Sequence, residues 1–106
     1  MAEIIINIAE EFSKTPGPRS KAEGLYSAEA FLDTILVGKF REALESGNKL
    51  TIVLDGTAGY ATSFLEGTFG ELVRRTSKRE VKSTIQFISN EEPYLIDEIN
   101  QYIDNA

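Results

Sequence analysis

Three short runs concentrate aliphatic and β-branched side chains, Glu3 to Ile8, Lys49 to Leu54 and Thr84 to Ser89, and longer stretches with apolar residues at helical spacing separate and follow them. The order this predicts is βαβαβα. The central run, Leu50-Thr51-Ile52-Val53-Leu54, is nearly continuous in large or β-branched side chains, which predicts a middle strand covered on both faces. A first helix is predicted from Ser27, whose hydroxyl can cap the free N–H groups of the first turn, to about Ser46, where Gly47-Asn48 suits a left-handed C-cap. Gly38 interrupts it at about 1 kcal/mol against alanine, implying a bend or a closely packed neighbour. The last helix follows Ser89-Asn90-Glu91-Glu92-Pro93 and carries Leu95, Ile96, Ile99, Tyr102 and Ile103 on one apolar face, so it is expected to dock on the core.

Residues 9–26 lack periodicity, and a connection of that length in a compact domain is usually functional or hides a short strand. Thr15-Pro16-Gly17-Pro18-Arg19 is a stiff turn-forming stretch that delivers one cation, and Lys21 to Tyr26 is a candidate edge strand. The sheet is therefore expected to have three or four strands, mixed but mostly parallel, in a single α/β domain over residues 1–106.

The stretch from Leu54 to Gly67 reads as a strand end, a glycine-containing turn and a helix start. Such strand ends border the crevice where α/β sheets bind ligands and partners, which singles out Asp55, Thr57, Thr62 and Ser63. At 100° per residue, Phe64, Leu65, Phe69, Leu72 and Val73 share an arc of roughly 180°, while Ser63, Gly67, Gly70 and Arg74 share one of roughly 40° on the other side. The second group predicts a smooth outward face suited to close approach by a partner, unless one glycine touches a neighbouring loop. Ser63 with Glu66 three residues on also reads as a capping box, against which a phosphoacceptor role is weighed.

Composition narrows the chemistry. With no cysteine and no histidine there is no disulfide, thiolate nucleophile, Ser-His-Asp relay or zinc site of the usual kind. No metal, cofactor or catalytic residue is assigned, and an enzyme is not expected. The 17 acidic and 11 basic residues give a net charge of −6, which argues against nucleic acid. The basic run from Arg74 to Arg79 reads as a helix end and solvated turn. No apolar run approaches the roughly 20 residues of a membrane span, and the Met-Ala-Glu-Ile start lacks the marks of a secretory leader, so a cytoplasmic location is expected.

Thr15-Pro16-Gly17-Pro18-Arg19, Gly24-Leu25-Tyr26-Ser27-Ala28-Glu29-Ala30-Phe31 and Leu54-Asp55-Gly56-Thr57-Ala58-Gly59-Tyr60, with Ser63-Phe64-Leu65-Glu66 and Phe69-Gly70, together resemble the small bacterial STAS-like DUF4325 family. The resemblance implies a sheet flanked by helices that acts by binding proteins. In the related anti-sigma-factor antagonists, a serine at the start of the helix after a central strand is phosphorylated by a kinase of the histidine-kinase-like ATPase fold. Thr62-Ser63 resembles that serine pair by location, with Ala61 and Phe64 in place of the flanking Asp and Gly.

The leading expectation is a regulatory module that docks a protein partner, which the resemblance suggests is an ATPase or kinase of the histidine-kinase-like fold, through Ser63, Gly67, Gly70, Arg74 and Tyr60, with Ser63 or Thr62 as candidate phosphoacceptor. The alternative is a small-ligand or nucleotide binder, or a minor enzyme, using Asp55, Thr57, Tyr60 and Arg19 around the crevice. A third is homo-oligomerisation through the glycine stripe or a sheet edge.

Overall fold

The computed structural model describes residues 4–106; Glu3, expected to open the first strand, lies outside them. Three strands, β1 (Ile4–Asn7), β2 (Leu50–Val53) and β3 (Ile85–Ile88), form a wholly parallel sheet in the order β1-β2-β3. Ile6 pairs with Ile52 and Ile52 with Phe87, so the β-rich runs fall in register with the large side chains aligned.

Five helical segments accompany the sheet: α1 (Ile8–Glu11), α2 over residues 28–46, α3 over residues 62–75, α4 (Lys78–Thr84) and α5 (Tyr94–Asn105). Ser27 caps α2 as expected, its hydroxyl accepting the Ala30 N–H at 3.0 Å, and Gly47 closes it at φ 71°, where an L side chain is strained. Helix α4 is an element the periodicity did not reveal. Its signal was nonetheless present, because Ser77 and Glu80 have the spacing of a capping box, and Ser77 Oγ accepts the Glu80 N–H at 3.1 Å. The basic run from Arg74 to Arg79 thus spans the end of one helix and the start of another.

Both long helices contain a widened turn. Over Leu32–Leu36 in α2 and Glu66–Gly70 in α3 the hydrogen bonds skip one residue further, as in Val37 N–H to Leu32 O and Glu71 N–H to Glu66 O. Gly38 lies just after the first of these, and nothing comes within 4 Å of where its Cβ would be. A tightly packed neighbour therefore does not explain it.

Sequential parallel strands joined by right-handed crossovers place their helices on the same side of the sheet. Burial follows that rule. Ile4, Ile6, Leu50, Ile52 and Ile85 enter one core with Phe31, Phe40, Phe64, Phe69 and Ile99, whereas on the other face Ile5 and Ile88 are 49 % and 41 % exposed. The expectation that β2 is covered on both faces is thereby corrected. Thr51 on the open face is buried by its sheet neighbours, with Gln86 Nε2 donating to its hydroxyl at 2.8 Å.

The candidate edge strand from Lys21 to Tyr26, which would have made the sheet four-stranded and mixed, does not form among the described residues. Residues 13–26 make a compact strap whose backbone is spent on turns and on α2: Gly17 N–H donates to Tyr26 O, and the Pro18 and Arg19 carbonyls accept the N–H groups of Ala28 and Glu29. Phe12 anchors the strap's entry against Tyr26, Phe31 and Phe64, with ring centroids 5.2 to 6.2 Å apart.

Candidate functional site

Asp55 leaves β2 into the glycine-containing turn and is engaged on both oxygens. It accepts the backbone N–H of Asn90 at 3.1 Å and of Glu91 at 2.9 Å, while Glu91 returns a carboxylate oxygen to the Gly56 N–H at 2.8 Å. This reciprocal lock joins the turns after β2 and β3, the structural role expected of a turn-forming aspartate. Tyr60 donates its hydroxyl to Leu54 O at 2.8 Å and packs on Phe64; burial pushes its phenol up to about 12. Thr57 lies beside that phenol. Of the candidate crevice residues, Asp55, Thr57 and Tyr60 lie near one another, whereas Arg19 pairs with Glu66.

Helix α3 begins differently from the capping-box expectation. Ala61 occupies the cap position with no side-chain acceptor, which places Ser63 inside the first turn. Glu66 turns away from the helix start to meet Arg19 Nη1 at 2.5 Å and Arg74 Nη1 at 2.8 Å. Thr62 is exposed beside Tyr102, and Ser63 is half-buried with no hydrogen bond to its hydroxyl among the described residues.

The smooth outward stripe is likewise overturned. Gly67 and Gly70 are buried, as are Thr68 and Phe69 between them, because α3 lies against both α2 and α5 and its widened turn rotates the face away from the 100° wheel. A Cβ on Gly67 would stand 2.9 Å from Arg19 Cγ and 3.2 Å from Ala28 Cβ, so the glycine serves the approach of the strap. Gly70 lies under the Glu66 and Arg74 side chains. Arg74 and Ser63 keep surface exposure; the two glycines do not.

A chain of ion pairs, unread in the sequence, runs from one point of the strap round to another. Arg19 pairs with Glu66, Glu66 with Arg74, Arg74 with Glu71, Glu71 with Arg75, Arg75 with Asp33, and Asp33 with Lys21. Its local half was legible, since Glu71 reaches Arg74 and Arg75 at three and four residues along one helix. The tertiary half was not. Arg74 chiefly holds the Glu66 and Glu71 carboxyls below their ordinary range, and Lys21 does so for Asp33. The arc borders a cleft of about 270 Å³ lined by Arg19, Ser20, Glu29, Leu32, Gly67, Glu71 and Arg75. Among the described residues no group of acidic side chains is arranged to hold a metal ion.

Together these features define a small parallel α/β domain whose polar groups are mostly committed to one another. The family model of DUF4325, described as a STAS-like domain of unknown function, matches residues 27–95, and the chain belongs to that family. No curated protein and no solved structure matches it.

Proposed function

We propose that this domain is a cytoplasmic regulatory module that binds a protein partner at the start of α3, around Thr62, Ser63 and Tyr60, with Arg74 further along the same helix. The observation that carries the reading is the first turn of α3: its cap position is an alanine, and the Ser63 hydroxyl is unused by the fold. STAS-like membership supports an interaction role, and the resemblance to anti-sigma-factor antagonists suggests a partner with the histidine-kinase-like ATPase fold. Phosphate on Ser63 would gain from the positive helix end but would add close to two negative charges to a contact surface. On an acidic partner that change expels it.

The alternative crevice reading loses support because both oxygens of Asp55 are engaged by backbone N–H groups and Arg19 is paired with Glu66. The test is affinity capture from source cells with wild type, Ser63→Ala, Ser63→Glu and Ser63→Arg, using Lys49→Glu as a control on another surface. A partner retained by wild type, Ser63→Ala and Lys49→Glu but lost with Ser63→Glu and Ser63→Arg supports both contact and switch. Equal retention by all baits would overturn the reading.

A further inference from the structure

We propose that the free edge of β3 pairs antiparallel with β3 of a second copy of this chain, joining two three-stranded sheets into one continuous sheet. The surface is separate from the start of α3 and uses neither Thr62 nor Ser63. Leu54 N–H donates to Ile88 O at 2.8 Å, so Ile88 and, two residues back, Gln86 turn their backbone groups toward β2. Phe87 between them turns its N–H and C=O outward, where nothing among the described residues pairs with them. Ile85-Gln86-Phe87-Ile88-Ser89 also holds no charge and no proline, the residues that ordinarily guard a sheet edge. The opposite edge is guarded, because Asn7 at the end of β1 gives its N–H to the Glu11 carboxylate at 2.7 Å and the chain turns at once into α1.

Beside the β3 edge a groove of about 490 Å³ runs between the strand and α5. Phe87 and Ile96 are half-buried in its lining and Gln86 and Asn100 are exposed there, so the edge offers side-chain surface as well as backbone groups. Charge selects a second copy as the occupant. Helix α4, which leads into β3, carries Lys78, Arg79 and Lys82 against Glu80, and the turn that leaves β3 carries Glu91 and Glu92. An antiparallel copy brings the acidic turn of each chain to the basic helix of the other, twice about one two-fold axis, whereas a parallel copy would set like charges side by side. With the axis at Phe87, the two Phe87 residues exchange both N–H···O bonds, and Gln86 stands opposite Ile88 of the second copy in the closer kind of pair that makes none. Ile88, 41 % exposed in the single chain, is then partly covered.

Sedimentation equilibrium of the intact chain over a rising concentration series reads the association directly. The expected result is a weight-average mass that climbs from that of one chain toward that of two. Gln86→Lys with Ile88→Lys sets like charges opposite each other twice across the axis and should weaken the dimer about tenfold or more. Ile5→Lys, on the same open face but on the far strand, should associate as wild type. Because the chain has no cysteine, cross-linking tests the register independently of the lysine variants and decides alone if they do not fold. A Gln86→Cys chain mixed with an Ile88→Cys chain should form a disulfide-linked dimer about tenfold faster than either chain by itself, since only the mixed pair stands directly opposite within the reach of a disulfide. A single-chain mass throughout, an unchanged dimer in the double lysine variant, an equal loss with Ile5→Lys, or cross-linking without preference for the mixed pair would overturn the proposal.

Discussion

Asp55 holds the backbone N–H groups of Asn90 and Glu91, so its side chain acts as the clasp between two loops at the carboxyl ends of neighbouring strands. Removing it leaves two donors without their acceptor. Asp55→Ala is expected to cost about 1–3 kcal/mol, read as a lower urea midpoint with an unchanged slope. A change in the opposite direction is expected at Gly38. It is exposed within a helix and its missing Cβ would meet nothing, so Gly38→Ala should stabilise by about 0.5–1 kcal/mol and raise the melting temperature. At Gly67 the same substitution has no such gain, because Arg19 and Ala28 already occupy the space.

Among the elements, the sheet separates its two faces energetically. Ile52 is fully buried in the core, whereas Ile5, on the neighbouring strand, is 49 % exposed on the open face. Ile52→Ala is expected to cost about 2–5 kcal/mol and Ile5→Thr less than about 0.5 kcal/mol, measured by denaturant unfolding. Comparable losses at both positions would mean that the open face is covered in solution. The strands, the Ser27 cap and the Gly47 stop were legible because each is written within a few adjacent residues. Leu50 to Leu54 misled as to layers, since a central strand in a narrow sheet is shielded by its neighbours even where no helix lies above it. The α3 face misled because a wheel assumes regular turns, and α3 widens at Glu66–Gly70. The strap's alliance of Arg19 with Glu66 joins residues 47 positions apart, beyond the reach of any local pattern.

For the whole molecule, the ion-pair arc ties the strap to α2 and α3 and makes that attachment sensitive to pH. Asp33, Glu66 and Glu71 are held below their ordinary values of 3.8, 4.5 and 4.5. Their folded values lie below their unfolded ones, so the unfolded chain takes up protons first as pH falls. Their contribution is full above the unfolded values and disappears as pH drops through the folded ones. Because the pairs are partly exposed, each is worth less than about 1 kcal/mol, and salt screens them. Urea midpoints should therefore fall between about pH 5 and about pH 3, and Glu66→Gln should flatten that dependence.

The widened turns also bear on how the chain tolerates changes of length. A turn closed by a bond to the fifth residue houses one residue more than an ordinary helical turn between the same neighbours. Helix α3 therefore contains a spare position, and Thr68, inside that turn, buries a hydroxyl that has no hydrogen-bond partner among the described residues. Deleting Thr68 should let the backbone relax into a regular turn while the residues beyond it keep their orientation. The shortened chain is expected to fold with a near-native circular dichroism spectrum, whereas deletion of Ala43, inside the regular part of α2, should abolish cooperative unfolding. In these two helices a one-residue loss is a frameshift of the packing everywhere except at the widened turn, where the fold already holds the slack to absorb it.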